Sequence, residues 1–303
     1  MRSSIACSLH AVALMFGCAA EPAEPELPQP SVTALIQLDG GPDVCQGGTV
    51  RLRLFGEHLD QAIVVVDDAQ VTPTVFSESL VLSITVEHGA RVGRREVTLQ
   101  SLGGNLSIYN ALVVTPIHVS PGGRDDGSGT PLDPFLTLAH GLQQAEDGDE
   151  IQLHIGRHVI DDAVVIPSGV TLRGTAEKTI VAVERCAQAV CFSSAGIIQD
   201  LRIESTTHPE LPAQRSVLVS GGELTDVEIH GGLVGVEIQR GRLTIVGNTG
   251  AVEGLRVVGA NASVQDSRIA DSDVGIHVVD GGKVDIRDTL IEGNGDGIRV
   301  TAP

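Results

Sequence analysis

The chain has 303 residues, with 20 Lys and Arg against 39 Asp and Glu, a formal net charge of −19. That balance repels phosphate backbones and excludes nucleic acid as a partner. Trp is absent and Tyr109 is the sole tyrosine, so broad aromatic platforms for stacked bases or rows of sugar rings cannot be built.

Residues 1–17 read as a targeting segment outside the fold: Arg2 is the positive end and Ile5 to Phe16 the apolar run. Met15-Phe16-Gly17-Cys18 resembles the cleavage motif of bacterial lipoproteins, well matched at Gly17 and Cys18, with Met15 where that family usually has leucine. The resemblance implies cleavage before Cys18 and a lipid on its sulfur. With Ala19 following, it also implies sorting to the outer membrane or cell surface, lipid-anchored and extracytoplasmic. The rival reading is an ordinary cleaved signal. A transmembrane anchor is disfavoured, because a spanning helix needs about 20 apolar residues. Residues 18–30 contain "EPAEPELPQP", a Pro-rich acidic stretch that packs no core and serves as a tether.

From residue 31 to 115 short alternating segments succeed one another: Val50 to Phe55, Ala62 to Val66, Leu80 to Val86 and Glu96 to Leu99. Spaced strands with polar turns predict a small β-sandwich. Gly48-Thr49-Val50, Phe55-Gly56-Glu57-His58-Leu59, Gly93 to Leu99 and the closing "GGNLSIYNALVV" are similar in order to an IPT/TIG domain, an immunoglobulin-like module. That resemblance implies a spacer or interaction domain, and no chemistry is apparent in it.

Residues 116–303 form the second body. The segment 119–158, "VSPGGRDDGSGTPLDPFLTLAHGLQQAEDGDEIQLHIGRH", resembles the opening of bacterial right-handed parallel β-helix proteins of the pectate-lyase-like superfamily. His158 stands where that family usually has Tyr. Phe135, Leu138, Ala139, Leu142 and Ala145 fall on one helical face, predicting a helix that covers the first coil and its strand edge.

Beyond this the chain repeats itself. Gly235-Val236-Glu237-Ile238 returns as Gly254-Leu255-Arg256-Val257, as Gly275-Ile276-His277-Val278 and as Gly297-Ile298-Arg299-Val300, at intervals of 19, 21 and 22 residues. A second phrase interleaves with it and places an aspartate at Asp200, Asp226, Asp266 and Asp288, while Ile245 stands where a further one is expected. Self-similarity at about 20 residues signals a solenoid, and alternation of apolar and polar residues makes its coils of strands. The predicted fold is therefore all-β: an Ig-like β-sandwich, then a right-handed parallel β-helix of roughly eight coils with an N-terminal capping helix. The last strand, Gly297 to Val300, is followed by three residues that offer no cap, so fraying or docking on a partner, including self-association of two copies, is expected there.

Five positions are cysteine. Cys7 departs with the signal. Cys186 and Cys191 bracket a short loop and are expected to form a disulfide, the alternative being a metal pair that lacks further ligands at suitable spacing. Cys45 reads as a buried small apolar residue in preference to a reactive thiol.

Enzymes of the resembled superfamily carry clustered aspartates with Ca²⁺ and a basic arginine, or Asn-Thr-Asp, Asp-Asp and Gly-His-Gly on successive coils. No Asn-Thr-Asp or Gly-His-Gly occurs, and Asp161-Asp162 lies too early to complete the set. The aspartate column reads as turn caps in preference to a cation ladder. Glu237, Arg256, His277 and Arg299 form an outward column about 5 Å apart per coil. The column is read either as weak ion pairs or as a strip for uronates, with Arg gripping carboxylates and His277 as a base. His154 and His158 read as structural. Asp125 and Asp126 are weak Ca²⁺ candidates in a loop more readily explained as part of the cap. No other cofactor is expected. Two longer excursions, 184–195 and 204–216, are expected to wall a shallow groove. The functional expectation is a non-catalytic module that binds glycan, a polysaccharide or another cell-envelope component. The alternatives are a polysaccharide lyase, hydrolase or epimerase, and a structural or adhesive rod.

Overall fold

A computed structural model of the chain describes residues 27–39, 41–184, 188, 190–206 and 215–301. Cys18 and Cys186 lie outside the described residues, as do residues 185–187 and 189 of the first excursion expected to wall a groove and 207–214 of the second. Among the described residues no helix is long and apolar enough to cross a membrane.

The first body is a sandwich of two four-stranded sheets. One runs Ser31–Gln37, Thr49–Glu57, Ser79–Val86, Ala69–Phe76, and the other Asp43–Cys45, Gly104–Thr115, Gly93–Ser101, Ile63–Val65. Period-2 alternation puts Leu52, Leu54, Leu82, Ile84, Leu99 and Leu112 between the sheets, all fully buried.

In the second body nearly every strand pairs in parallel with the coil before and the coil after it. Each coil lays one long strand over two faces and a short strand over the third. The long ones are Thr171–Val183, Ile197–Ser205, Glu223–Gly231 and Gly241–Thr249, and the next two coils divide theirs in two. The third face stacks Val164–Ile166, Phe192–Ser194, Arg215–Val219, Val234–Ile238, Glu253–Val258, Val274–Val279 and Asp296–Val300. That makes seven strands where the sequence predicts roughly eight coils. The missing one is at the start, where Ile117–Val119 pairs with Glu150–Leu153 and the helix Leu138–Gln144 packs in place of a third-face strand.

Inside, like stacks on like. Leu172, Ile198, Leu224, Leu243 and Val264 succeed one another in register, all buried. The repeated glycine has a steric cause: a Cβ on Gly254 would sit 2.8 Å from Gly275 O, and one on Gly275 2.6 Å from Gly297 O. The recurring aspartates also have one. Asp200, Asp226, Asp266 and Asp288 adopt φ of 57°, 53°, 51° and 47° and bend the long strand between two faces. A short polar side chain tolerates this left-handed conformation, which costs other non-glycine residues about 1–2 kcal/mol. Their turn-forming role is the expected one, but its basis is conformational. Ile245 does not replace an aspartate: Thr244 and Ile245 pair with Thr225 and Val227, so that coil skips the position.

The capping helix differs in detail from the expectation. Thr137 caps it, accepting a 3.1 Å bond from His140 N. Leu138 and Gly141 are buried, Leu142 and Ala145 pack against the core, and Phe135 is buried ahead of the helix. Ala139 points to solvent. In the last coil Leu290, Ile298 and Val300 are exposed.

The sandwich abuts the first coil. Cys45, on the sandwich, is packed into the β-helix core, and Gln46 bridges Ala90 O (2.7 Å) and Glu150 N (2.8 Å).

Candidate functional site

The outward column exists as a stack: Glu237 pairs with Arg256, Arg256 with His277 and His277 with Arg299 in the parallel register of the third face. Adjacent strands lie about 4.8 Å apart, so these side chains are neighbours. They are not, however, an ion-pair ladder along the column. Glu237, between the core residues Val236 and Ile238, is on the outer side of its strand but is covered there, with Arg215 Nε 2.6 Å from its Oε2. His277 Nδ1 lies 2.9 Å from Glu253 Oε1, and its Nε2 lies 2.9 Å from Thr301 Oγ1. Arg299 pairs with Asp296. Glu253 and Asp296 sit at strand starts, and His277 from the next coil and Arg299 from the same strand reach back to them.

Arg256 is the exception. Its nearest carboxylate oxygen is Glu253 Oε2, 3.9 Å from Nε, beyond hydrogen-bond range. Both of those atoms are buried without a partner. The Arg256 side chain is 35% exposed and donates no hydrogen bond among the described residues. A guanidinium beside His277, with Arg299 one coil further along, can grip a carboxylate in two parallel bonds.

A second charged network covers the bent face, unexpected from the sequence. Arg157 reaches both Glu184 and Glu204, Arg202 bonds Glu228 at 2.7 Å, and His230 Nε2 lies 2.8 Å from Glu228 Oε1. Burial tends to raise the Glu228 carboxyl, but bonds from Arg202 and His230 outweigh it and hold the group below its ordinary range. The signal was present: Arg202 and Glu228 each stand two residues after the repeated aspartate. Every member of this network has an acid or base partner, which describes a solvated ion-pair surface.

The Ca²⁺ candidates do not converge. Asp125 accepts bonds from Leu136 N, Thr137 N and Thr137 Oγ1, each 2.9 Å. Burial raises its carboxyl, but these bonds prevail and lower it. Asp126 is exposed and lies 3.6 Å from Arg124 Nε. Among the described residues no three His, Cys, Asp or Glu side chains gather as metal ligands.

Three histidines cluster near the first coil. His118 Nδ1 lies 2.9 Å from His154 Nε2, and His158 Nε2 bonds His154 O at 2.9 Å. Burial, then the neighbouring His154, pushes His118 down to about 4, and burial lowers His154 and His158 as well. The buried Cys45 thiol, 3.3 Å from Ser128 O, is pushed up to about 11 by burial and is inert as a nucleophile at neutral pH. Cys191 is buried and disulfide-bonded.

No family model and no curated protein matches the chain. Among solved structures it is similar to a rhamnogalacturonan lyase at 12% identity and a TM-score of 0.36, over 62% of this chain. The chain spans about 60% of that lyase's length. It is also similar to the catalytic unit of a thermostable GH87 alpha-1,3-glucanase from Streptomyces thermodiastaticus strain HF3-3, at 17% identity and a TM-score of 0.36. That similarity covers 88% of this chain and 69% of the other. The β-helix assignment rests on the strand pairing within the chain itself.

Proposed function

We propose that the mature chain is a lipoprotein, anchored through lipidated Cys18 at the outer membrane or cell surface. Its β-helix binds an acidic glycan or another carboxylated envelope component without turning it over. The tether of residues 18–30 holds the body off the membrane, and the sandwich, read as an IPT/TIG-like module, stands between tether and β-helix. Arg256 carries the reading. It is the guanidinium of the column left without a hydrogen bond among the described residues, partly exposed and followed in register by His277 and, one coil further, by Arg299. An acidic chain laid along the third face meets a basic group on each of three successive coils, at the repeat of the stack.

A second reading draws on one contact. His277, 2.9 Å from Glu253 Oε1, is an oriented imidazole beside a guanidinium that makes no hydrogen bond among the described residues, and a lyase or epimerase acting on uronates needs such a base. A glycan array probed with the full chain tests binding, and assays for unsaturated and reducing-end products run beside it separate the two readings. Binding of acidic glycans with no product supports the first. Product formation that is lost in Arg256→Ala supports the second. Absence of both refutes each.

A further inference from the structure

A hollow on the sandwich lies outside the repeat pattern of the β-helix. Of the 20 basic residues in this acidic chain, Arg91, Arg94 and Arg95 fall within five positions. With Asp67, Asp68, Glu96, Tyr109 and Asn110 they line an open cavity of about 620 Å³, within the size range of small-ligand sites.

A bulge builds it. Arg95 pairs with Leu112 and Val97 with Ile108, so residues 109–111 stand opposite Glu96 alone. Asn110 takes φ 55° to accommodate the extra length. Bulges of this kind re-aim side chains, and here Tyr109 is turned out, 74% exposed, at the cavity wall.

The charges divide into those used by the fold and those left over. Arg95 is mostly buried, bonds the carbonyl oxygens of Arg91 and Arg94 and pairs with Asp68 at 3.4 Å. Glu96 Oε1 accepts from Thr98 Oγ1 and Ser107 Oγ at 3.1 and 3.2 Å. Arg91 and Arg94 are exposed, and among the described residues their side chains make no hydrogen bond or ion pair; the same holds for Asp67. Two free guanidiniums, a free carboxylate, an amide and an exposed aromatic face therefore meet in one hollow.

We infer that this cavity binds a saccharide residue bearing a carboxylate, a uronic acid unit. Arg91 and Arg94 take the carboxylate, the ring face lies on Tyr109, and hydroxyl groups donate to Asp67 and Asn110. A simple inorganic anion uses the arginines but gains nothing from Tyr109 or Asp67, so the combination selects the sugar. This site is independent of the β-helix column and stands or falls separately from it.

The composition supplies the probe. With no Trp and a single Tyr, the intrinsic fluorescence of the full chain comes from Tyr109. Titration with trigalacturonate is expected to change this emission saturably, whereas its methyl ester and inorganic phosphate leave it unsaturated over the same range. Arg91→Ala/Arg94→Ala, at exposed positions, should weaken the response at least tenfold with unchanged circular dichroism, and Arg256→Ala/Arg299→Ala should leave it intact. The inference is overturned by no saturable change, by an equal response to phosphate or to the ester, or by an unaltered response in the Arg91→Ala/Arg94→Ala variant.

Discussion

The backbone amide of Gly89 donates to Asp149 Oδ1 at 2.7 Å, joining a turn of the sandwich to the first coil of the β-helix. The Asp149 side chain is fully buried and its other oxygen meets His88 Nδ1 at 2.6 Å and Glu146 N at 2.9 Å. Gly47 allows this approach, since a Cβ there would stand 2.1 Å from the His88 ring. A buried carboxylate with three partners is a latch, and the sandwich is thereby an integral end piece of the β-helix.

Removing that latch leaves buried donors unpaired. Asp149→Ala is expected to cost about 3 kcal/mol, hydrogen bonds to a charged group being worth about 1.5–3 kcal/mol each before compensation. Urea unfolding followed by circular dichroism measures it. The parent is expected to unfold in one transition, and in Asp149→Ala that transition should fall in midpoint and divide as the two bodies uncouple.

Acid should weaken the first coil by a different route. His118 titrates near 4 in the folded chain against an ordinary value of 6.5, so the unfolded chain binds more protons between those limits. Stability is therefore full above about pH 6.5 and declines as pH falls toward 4. His154 and His158, also lowered, act with the same sign. Urea midpoints from pH 7.5 to 4.5 should fall, and His118→Gln should make the decline shallower. An identical pH profile in that variant would refute the assignment.

Much of the stack was legible because each coil solves one steric problem in the same way. Glycine recurs where the next coil's carbonyl approaches Gly254 and Gly275. Aspartate recurs where the strand bends, and aliphatics recur where they stack. What the phrase could not reveal was diagonal reach. Arg215 meets Glu237 by extending from the start of the preceding strand, and Glu253 gathers His277 from the next. Nor does a single bulge leave a periodic mark, so the turning of Tyr109 toward three arginines was hidden. Ala139 falls off the inward stripe because Leu138, Gly141, Leu142 and Ala145 already fill the i, i+3, i+4 and i+7 positions, with a glycine where an apolar side chain is expected.

The aspartate column offers a direct contrast between conformation and charge. Asp226→Asn retains a residue that tolerates φ near 53° and should be nearly neutral. Asp226→Val should lose about 1–2 kcal/mol, read from denaturant midpoints. A comparable loss in Asp226→Asn, or a stabilisation by Ca²⁺ that is seen in the parent and absent from Asp226→Asn, would mean that the carboxylate itself is required.

The central claim is that the third face of the β-helix binds an acidic glycan through Arg256 and its register neighbours. Calorimetric titration of polygalacturonate tests it most directly, with Arg91→Ala/Arg94→Ala in the background so that the sandwich contributes nothing. Binding should be saturable, weaken as salt rises, weaken at least tenfold more in Arg256→Ala/Arg299→Ala, and yield no product. Equal affinity in the presence and absence of Arg256 and Arg299, or accumulation of cleaved polymer, would contradict it.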